Sequence, residues 1–229
     1  MVMAGGILLP LGVLVARYFK VMPGQAWPEE LDNKTWWHGH RVLQIAGVLL
    51  MTVGCGLAVG HVHGAGPLAR CHRWFGWIVV TSGWIQIFSG FWRGSKGGGS
   101  TPWRADSSAD ELRGDHYDMS DRRRLFEYVH KIVGTAAILA AVVTIAMGLI
   151  VADAPRWMSV MLVLWWLALA SLAMYWQREG RCIDTYQAIW GPDLIHPGNR
   201  IPAIGWGIRR HSRESWKQCT ERKSRMRSI

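Results

Sequence analysis

Five long apolar stretches constrain the fold of this chain more than any other feature. They cover residues 2–19, 43–60, 74–92, 132–152 and 157–176 of the 229-residue chain. About 20 apolar residues are needed to cross the ~30 Å hydrocarbon core of a bilayer, and each stretch meets or approaches that length. The sequence therefore predicts an all-α, polytopic membrane bundle of five transmembrane helices, with the lipid bilayer as its first partner.

The first apolar stretch is also compatible with a secretory signal peptide, but its flanks favour a membrane span. A signal peptide has a basic segment before its apolar core and a small-residue cleavage site after it, and neither is present here. Arg17, Tyr18 and Lys20 close the stretch instead, as interfacial anchors close a membrane helix.

The net charge of +10 is explained by where the charges lie. With five spans, all 26 Lys and Arg residues except Arg70, Arg73 and Arg156 fall on one side of the bilayer. The side rich in Lys and Arg is normally cytoplasmic. We therefore expect the N-terminus outside, the C-terminus in the cytoplasm and a bacterial inner membrane as the location. Because topology accounts for the charge, we expect no nucleic-acid partner.

The chain reads as one membrane domain, residues 1–176, followed by a basic cytoplasmic tail, residues 177–229. Between the third and fourth spans lies a long polar loop, and Ser120 or Asp121 is the expected N-cap of the fourth helix. The four cysteines show no metal-binding spacing such as C-x-x-C, so we expect unpaired structural thiols.

Three of the nine histidines head a stripe of mostly small residues on one helical face. Ordinary helix packing in membranes produces similar small-residue stripes. A histidine at the head of three of them favours haem binding, because imidazole is a common axial ligand of haem iron. The stripes are His40 with Gln44, Gly47, Met51, Gly54 and Ala58; His72 with Gly76, Val79, Gly83, Gln86 and Gly90; and His130 with Gly134, Ala137, Ala141, Thr144 and Gly148.

The depth of each histidine in the predicted bundle decides which of them can share a haem. His40 and His130 both stand near the cytoplasmic ends of outward-running helices, so they can face each other. The 21 residues from His40 to His61 span ~31 Å of helix at 1.5 Å per residue. His72, at the start of the next helix, is therefore expected at the opposite face of the membrane.

These segments resemble the haem-binding helices of the eukaryotic-type cytochrome b561 core domain. Trp36–Gln44 (W-W-H-G-H-R-V-L-Q), His72–Gly76 (H-R-W-F-G) and His130–Gly134 (H-K-I-V-G) look like its second, third and fourth helices. Gly6–Lys20 is similar to the first core helix, especially in the branch linked to DOMON domains. The resemblance covers roughly residues 1–176. It implies two b-type haems, each held by two histidines from alternate helices, and electron transfer between the two membrane faces.

One departure from the family concerns the second haem. The first core helix of the family opens with a histidine that would precede Met1 here, so His72 lacks its expected partner. We expect one haem b at His40 and His130. Whether a second haem binds at His72 stays open. We also expect the natural protein to start upstream of Met1 and to supply the missing histidine. The alternative ligands are His61, His63, Met1 and Met3.

The remaining histidines and the cations beside the ligands are weaker candidates. His38 points to a different helical face from His40, so we expect it not to be a ligand. No stripe follows His116, His196 or His211. Each predicted ligand is followed by a cation that is available to a haem propionate or an anionic reductant, although helix-end snorkelling also explains these positions. These cations are Arg41, Arg73 and Lys131.

The predicted function is transmembrane electron transfer through b-type haem. The resemblance makes ascorbate or a similar small reductant a candidate donor and ferric iron a candidate acceptor, and a quinol or a redox partner protein is an equal alternative. The chain could then act as a transmembrane oxidoreductase. The alternative from another class is a haem-free membrane scaffold or transporter subunit, in which the stripes serve helix packing. The donor, the acceptor and a homodimeric state stay open.

Overall fold

The fold was described from a computed structural model covering residues 1–61, 66–97 and 113–218. His63 and the side chain of His61, two of the alternative ligands, lie outside the described residues. The described chain is all-helical, without a β-strand. Its α-helices are α1 (Leu9–Tyr18), α2 (Thr35–His61), α3 (Pro67–Ser89), α4 (Asp121–Val151), α5 (Arg156–Arg178) and α6 (Thr185–Trp190). A π-helical segment, Val2–Leu8, leads directly into α1.

Three of these helices are long and apolar enough to cross a membrane: Thr35–Val59, Asp121–Val151 and Arg156–Arg178. The segment Val2–Tyr18 is apolar but shorter. The five predicted spans are thus reduced to three by this criterion. The third helix, α3, opens with Arg70, His72 and Arg73, and it owes much of its apolar surface to tryptophans. The polar opening shortens its purely apolar stretch.

The long helices point large apolar side chains outward, as a bundle surrounded by lipid requires. Val53 and Leu57 on α2, Leu139 on α4 and Leu164 on α5 are each more than half exposed. A soluble protein rarely shows such continuous apolar surface. Together with the apolar length of the spans, this surface identifies a membrane protein.

Neighbouring helices run in alternating directions, and this fixes the two ends of the bundle. His72 on α3 contacts Thr144 on α4, whereas Gln86 lies 4.0 Å from a Cβ built on Gly134, so α3 and α4 are antiparallel. His40 on α2 lies beside Gly12 on α1, and Gln44, further along α2, donates to Leu9 O, earlier in α1, at 2.9 Å. Helices α1 and α2 are therefore antiparallel as well.

We call one end of the bundle the His40 end, comprising Arg17, His40, Gly90, His130 and Gln177. The other is the His72 end, comprising Met1, His72, Gly148 and Arg156. Between the two ends lies a small buried core that joins the N-terminal segment to the next three helices. Its members are Ala4, Leu9, Val48, Met51, Val79, Val80 and Ala141.

Helix α4 begins where the sequence predicted. The side-chain oxygen of Ser120 accepts a hydrogen bond from the backbone N–H of Arg123 at 3.3 Å, and Asp121 occupies the first turn. An N-cap of this kind satisfies one of the four N–H groups left without a partner at the start of a helix. The predicted cap is therefore confirmed, with Ser120 as the capping residue.

A folded cap covers the His40 end. We define the cap as residues 20–34, 93–97, 113–120 and 180–216. Two buried apolar clusters hold it together, one centred on Trp27 and Ile183 and the other on Tyr186 and Trp190. The domain boundary at residue 176 stays a prediction. The structure adds that most of the segment expected to be a tail packs onto the bundle.

An ion pair fastens the last part of the cap. Arg210 donates to Asp184 Oδ2 at 2.5 Å and to the carbonyl oxygens of Gly198, Asn199 and Ile201. Asp184 is buried, so its charge needs this partner. Arg210 thereby ties the segment after α6 to the start of that helix.

Candidate functional site

Two of the predicted ligands face each other at the His40 end. His40 comes from α2 and His130 from α4, and the centroids of their imidazole rings are 6.4 Å apart with the ring planes at 74°. Among the described residues, α2 and α4 make no extended contact with each other, because each packs on α3 or on the N-terminal helix instead. The two imidazoles therefore meet across a gap between helices.

The separation of the two rings fits a single metal ion between them. Imidazole–metal bonds are about 2 Å long, so two rings on opposite sides of one ion have centroids roughly 6 Å apart. The observed centroid distance of 6.4 Å is close to this value. Bis-imidazole ligation is a usual arrangement for b-type haem iron.

The hydrogen bond of His40 prepares its other nitrogen for a metal. His40 Nδ1 lies 3.0 Å from the carbonyl oxygen of Gly12 on α1. A carbonyl oxygen only accepts, so Nδ1 carries the proton and Nε2 keeps a free lone pair. Metal-binding histidines commonly use such a bond to fix the tautomer and the ring orientation.

On the opposite side of the gap, His130 leaves room beside it. Its Nδ1 and the Gln86 Oε1 are both buried without a hydrogen-bond partner in the described structure. One turn further along α4, a Cβ added to Gly134 would meet no neighbouring atom closer than Gln86 Oε1 at 4.0 Å. Unpartnered buried polar atoms are rare in native proteins and need an explanation. A group bound between the helices at this level would be one explanation.

The small-residue stripes serve different purposes at different depths. In the middle of the bundle, a Cβ on Gly83 would lie 2.8 Å from Val48, and one on Gly47 would lie 2.6 Å from Leu9. These glycines permit close helix packing, which was the alternative explanation of the stripes. At the His40 end, a Cβ on Gly90 would meet nothing within 4 Å, and one on Gly134 would meet only Gln86 Oε1 at 4.0 Å. Packing and a groove thus both occur along the same helices.

His72 stands alone at the His72 end. Its Nδ1 lies 3.0 Å from Thr144 O, which fixes its tautomer as Gly12 fixes that of His40. Gly148 admits the ring, since a Cβ there would lie 2.7 Å from His72 Cε1. Within the described residues no second histidine faces it. Met1, one of the alternatives, reaches Gly76, which lies one helical turn from His72 on the same face.

The three predicted cations lie in different surroundings. Arg41 is beside His40, Lys131 is bonded to the cap, and Arg73 is at the His72 end. Arg41 lies 5.7 Å above the Trp37 ring, and that ring lies 6.5 Å from His40. Lys131 instead donates to Glu127 Oε2 at 2.9 Å and to the cap at Ile204 O, 2.7 Å away. The third, Arg73, is exposed at the His72 end.

A further cation, which the sequence did not single out, joins Arg41. The Arg93 guanidinium lies 4.3 Å from the centroid of the Trp37 ring. Burial, and then the charges of Arg123 and Arg41, lower the pKa of Arg93. Neither Arg41 nor Arg93 forms an ion pair with a described carboxylate. The indole and its two guanidinium groups therefore form a positively charged edge beside His40.

A buried charged cluster centred on Glu127, between His130 and the cap, was also not identified from the sequence. Glu127, three residues before His130, pairs with Arg123 at 3.0 Å and with Lys131 at 2.9 Å. His116, only 3% exposed, points Nε2 at Glu127 Oε1 from 3.9 Å. The i,i+4 spacing of the two ion pairs could have indicated Glu127. His116 lies in a loop, and its position depends on long-range folding that a single sequence does not show.

His116 is neutral in this cluster. Burial, and then the charge of Arg123, lower its pKa from 6.5 to about 3. Trp190 Nε1 donates to His116 Nδ1 at 3.3 Å, so the single proton of the ring is on Nε2 and faces Glu127. The histidine thus orients a weak dipole toward the carboxylate and adds no charge.

The other histidines lie away from the paired rings. His38 is exposed at the start of α2, as expected for a non-ligand. His196 contacts the Tyr117 hydroxyl in the cap at 3.3 Å. His211 packs against Trp216, with ring centroids 5.1 Å apart. His196 and His211 are therefore part of the packing of the cap.

Comparison with known proteins gives one informative relationship. The chain is 29% identical over 149 residues to a cytochrome b561, DM13 and DOMON domain-containing protein of Arabidopsis thaliana. The match covers 65% of this chain but only 14% of that much longer relative. No protein-family model matches the chain. No solved structure matches it significantly. The similarity supports a relationship of the cytochrome b561 type.

Proposed function

We propose that this protein carries electrons across a membrane through a b-type haem held by His40 and His130. The observation that carries the proposal is the 6.4 Å separation of these two rings, on helices that otherwise stay apart. The Arabidopsis relative is named as a cytochrome b561 protein, and cytochromes b carry the same cofactor. The long apolar helices supply the membrane setting.

The protein's own residues would prepare this site. When bound, haem supplies an iron centre that accepts and returns one electron. His40 is held in its ligating tautomer by Gly12 O, which also makes the imidazole a stronger donor. Arg41 and Arg93 provide positive charge for the propionates or for an anionic donor. The apolar surroundings exclude water, and burial is one of the means by which a protein sets a redox potential.

We further propose that all five apolar segments span the bilayer, with the N-terminus outside and the C-terminus in the cytoplasm. The distribution of Lys and Arg supports this orientation. A reporter fused after Ile229 should then behave as cytoplasmic, and one inserted near Gly64 as external. The opposite pattern would place the His40 end, with its paired histidines, at the outer face.

The identity of donor and acceptor rests on chemistry alone. A small reductant such as ascorbate, a quinol or a redox partner protein would deliver the electron, with ferric iron as a candidate acceptor. The charged edge at Arg41 and Arg93 favours an anionic group on whichever partner approaches His40. If the chain acts as an oxidoreductase, this edge is where one of its substrates would bind.

The decisive experiment is a reduced-minus-oxidised spectrum of the purified protein and three variants. We expect a low-spin haem signal that acid–acetone extraction removes, because the chain lacks the C-x-x-C-H sequence of covalent attachment. His40→Ala and His130→Ala should each abolish that signal, because each leaves the iron with one protein ligand.

The control is His38→Ala, which should leave the signal intact because His38 is exposed. Loss of the signal in His38→Ala but not in His40→Ala would mean that the register of α2 is wrong. A wild-type protein with no haem spectrum would favour the scaffold alternative. One low-spin haem per chain is expected, with His72 holding at most a weakly bound, high-spin second haem.

A further inference from the structure

Trp206 is held on the outside of the cap by its two neighbours. Trp206 is 75% exposed, although it lies in the folded cap and not on the outer face of a long apolar helix. Gly205 has φ +116° and Gly207 has φ +67°, backbone conformations that other residues adopt only with strain. The G-W-G sequence therefore builds a tight turn that projects the indole away from the cap.

The turn is fastened to the ends of two apolar helices. The Arg17 guanidinium, at the end of α1, lies 4.5 Å from the centroid of the Trp206 ring and donates to Trp206 O at 3.0 Å. Gln177, at the end of α5, donates to Gly207 O at 2.7 Å and accepts from Arg17 at 3.1 Å. These contacts place the exposed indole at the depth where both helices leave the apolar region.

The charge at this corner is positive on balance, since Arg17 and Arg178 outnumber Glu179, the acidic residue that follows Arg178. Arg17 forms no ion pair with any carboxylate of the described chain. Its Nε and Nη2 donate to protein acceptors, whereas no described acceptor is bonded to Nη1. Arg178, in the last turn of α5, is a further exposed cation at the same level.

We propose that Trp206 and Arg17 form a docking site for an anionic phospholipid headgroup, which seats the cap on the leaflet at the His40 end. Tryptophan concentrates at the membrane interface because its ring is apolar and its N–H is polar. A guanidinium group presents several N–H donors in one plane and matches the oxygens of a phosphate. The helix ends on which the site is built make it continuous with the membrane surface. The proposal does not require haem.

The first test measures how close position 206 lies to lipid headgroups. The four native cysteines are replaced by alanine, Trp206→Cys is labelled with bimane, and the chain is placed in nanodiscs containing nitroxide-headgroup lipid. Strong quenching is expected at 206. The matched control is Leu194→Cys, at a similarly exposed cap residue whose carbonyl oxygen accepts a hydrogen bond from Arg200, another cap residue. Equal quenching at the two positions, or none at 206, would overturn the proposal.

The second test uses the unlabelled chain and asks whether Arg17 selects anionic lipid. Native mass spectrometry from nanodiscs of mixed phosphatidylglycerol and phosphatidylcholine should show preferential retention of phosphatidylglycerol. One cation near the surface changes such a preference about fivefold, so Arg17→Gln should reduce it by about that factor. Arg178→Gln is the control for diffuse attraction to charge. An equal loss in both variants, or no loss in Arg17→Gln, would overturn the site.

Discussion

Gly134→Ala should strengthen the protein without haem and weaken its binding of haem. In the structure, the new Cβ would find no atom nearer than 4.0 Å, so it causes no clash. Alanine is favoured over glycine inside a helix by about 1 kcal/mol, and the apoprotein should gain roughly that stability. Gly134 lies one turn from His130 on the same face, so the same methyl group would intrude on a bound haem.

The expected loss of haem affinity in Gly134→Ala can be estimated from packing energies. One methyl group forced into a filled site costs about 1–3 kcal/mol, which raises the haem Kd roughly 5- to 150-fold. Thermal unfolding of the apoprotein by circular dichroism measures the first effect, and haem titration measures the second. An unchanged Kd in Gly134→Ala would refute the reasoning, because the cofactor would then not lie along this face of α4.

Gly148→Ala is the matched control on the same helix and stripe. Its Cβ would lie 2.7 Å from His72 Cε1, 3.3 Å from Nδ1 and 3.4 Å from Nε2, and the imidazole ring is rigid. The ring would have to move and lose its hydrogen bond to Thr144 O. We therefore expect a loss of roughly 1–3 kcal/mol in apoprotein stability. The affinity for haem at the His40 end should not change.

Two further substitutions test the buried charges around the cap. Glu127→Gln leaves Arg123 and Lys131 without a counter-charge and should destabilise the chain by roughly 2–3 kcal/mol, since Lys131 is partly exposed; an unchanged denaturation midpoint would contradict this. Burial, and then the charge of Lys131, lower the pKa of Lys20 from 10.5 to about 8. The unfolded chain therefore binds this proton at higher pH than the folded chain, and stability should rise by roughly 3 kcal/mol between pH 8 and pH 10.5. Lys20→Met should remove that rise from paired denaturation curves, and equal slopes in both proteins would refute the assigned burial.

The start of α4 and the placing of His40 and His130 at one end of the bundle could be predicted because they follow from local sequence patterns. His40 and His130 each begin a stripe of period 3.6, and alternating helix directions bring the two stripes to the same end. Ser120 was predictable as a cap from its own side chain. The structure brings the two rings together, and their role as ligands remains our proposal.

The cap could not be predicted, because its contacts join residues far apart in the sequence. Lys20 donates to Ile183 O, and Trp27 Nε1 donates to Gln187 O. Nothing in the local pattern of either partner indicates the other. The polar composition after residue 177 suggested a solvated tail, since charged residues usually stay exposed. Buried ion pairs such as Arg210 with Asp184 make that composition compatible with a folded segment.

The arrangement of charges at the His40 end bears on how a redox partner would approach it. At the His40 end a hydrogen bond from Lys131, the residue after His130, to Ile204 O fastens the cap to α4. The edge formed by Trp37, Arg41 and Arg93 stays open beside it. On the proposed function, an electron donor or acceptor at this end would approach along the charged edge beside His40. Neutralising Arg93, which forms no ion pair with a described carboxylate, would remove part of the charge of this edge without breaking an ion pair of the described chain. Exchange with a negatively charged partner should slow and lose its salt dependence, because steering by a positive edge is screened by salt.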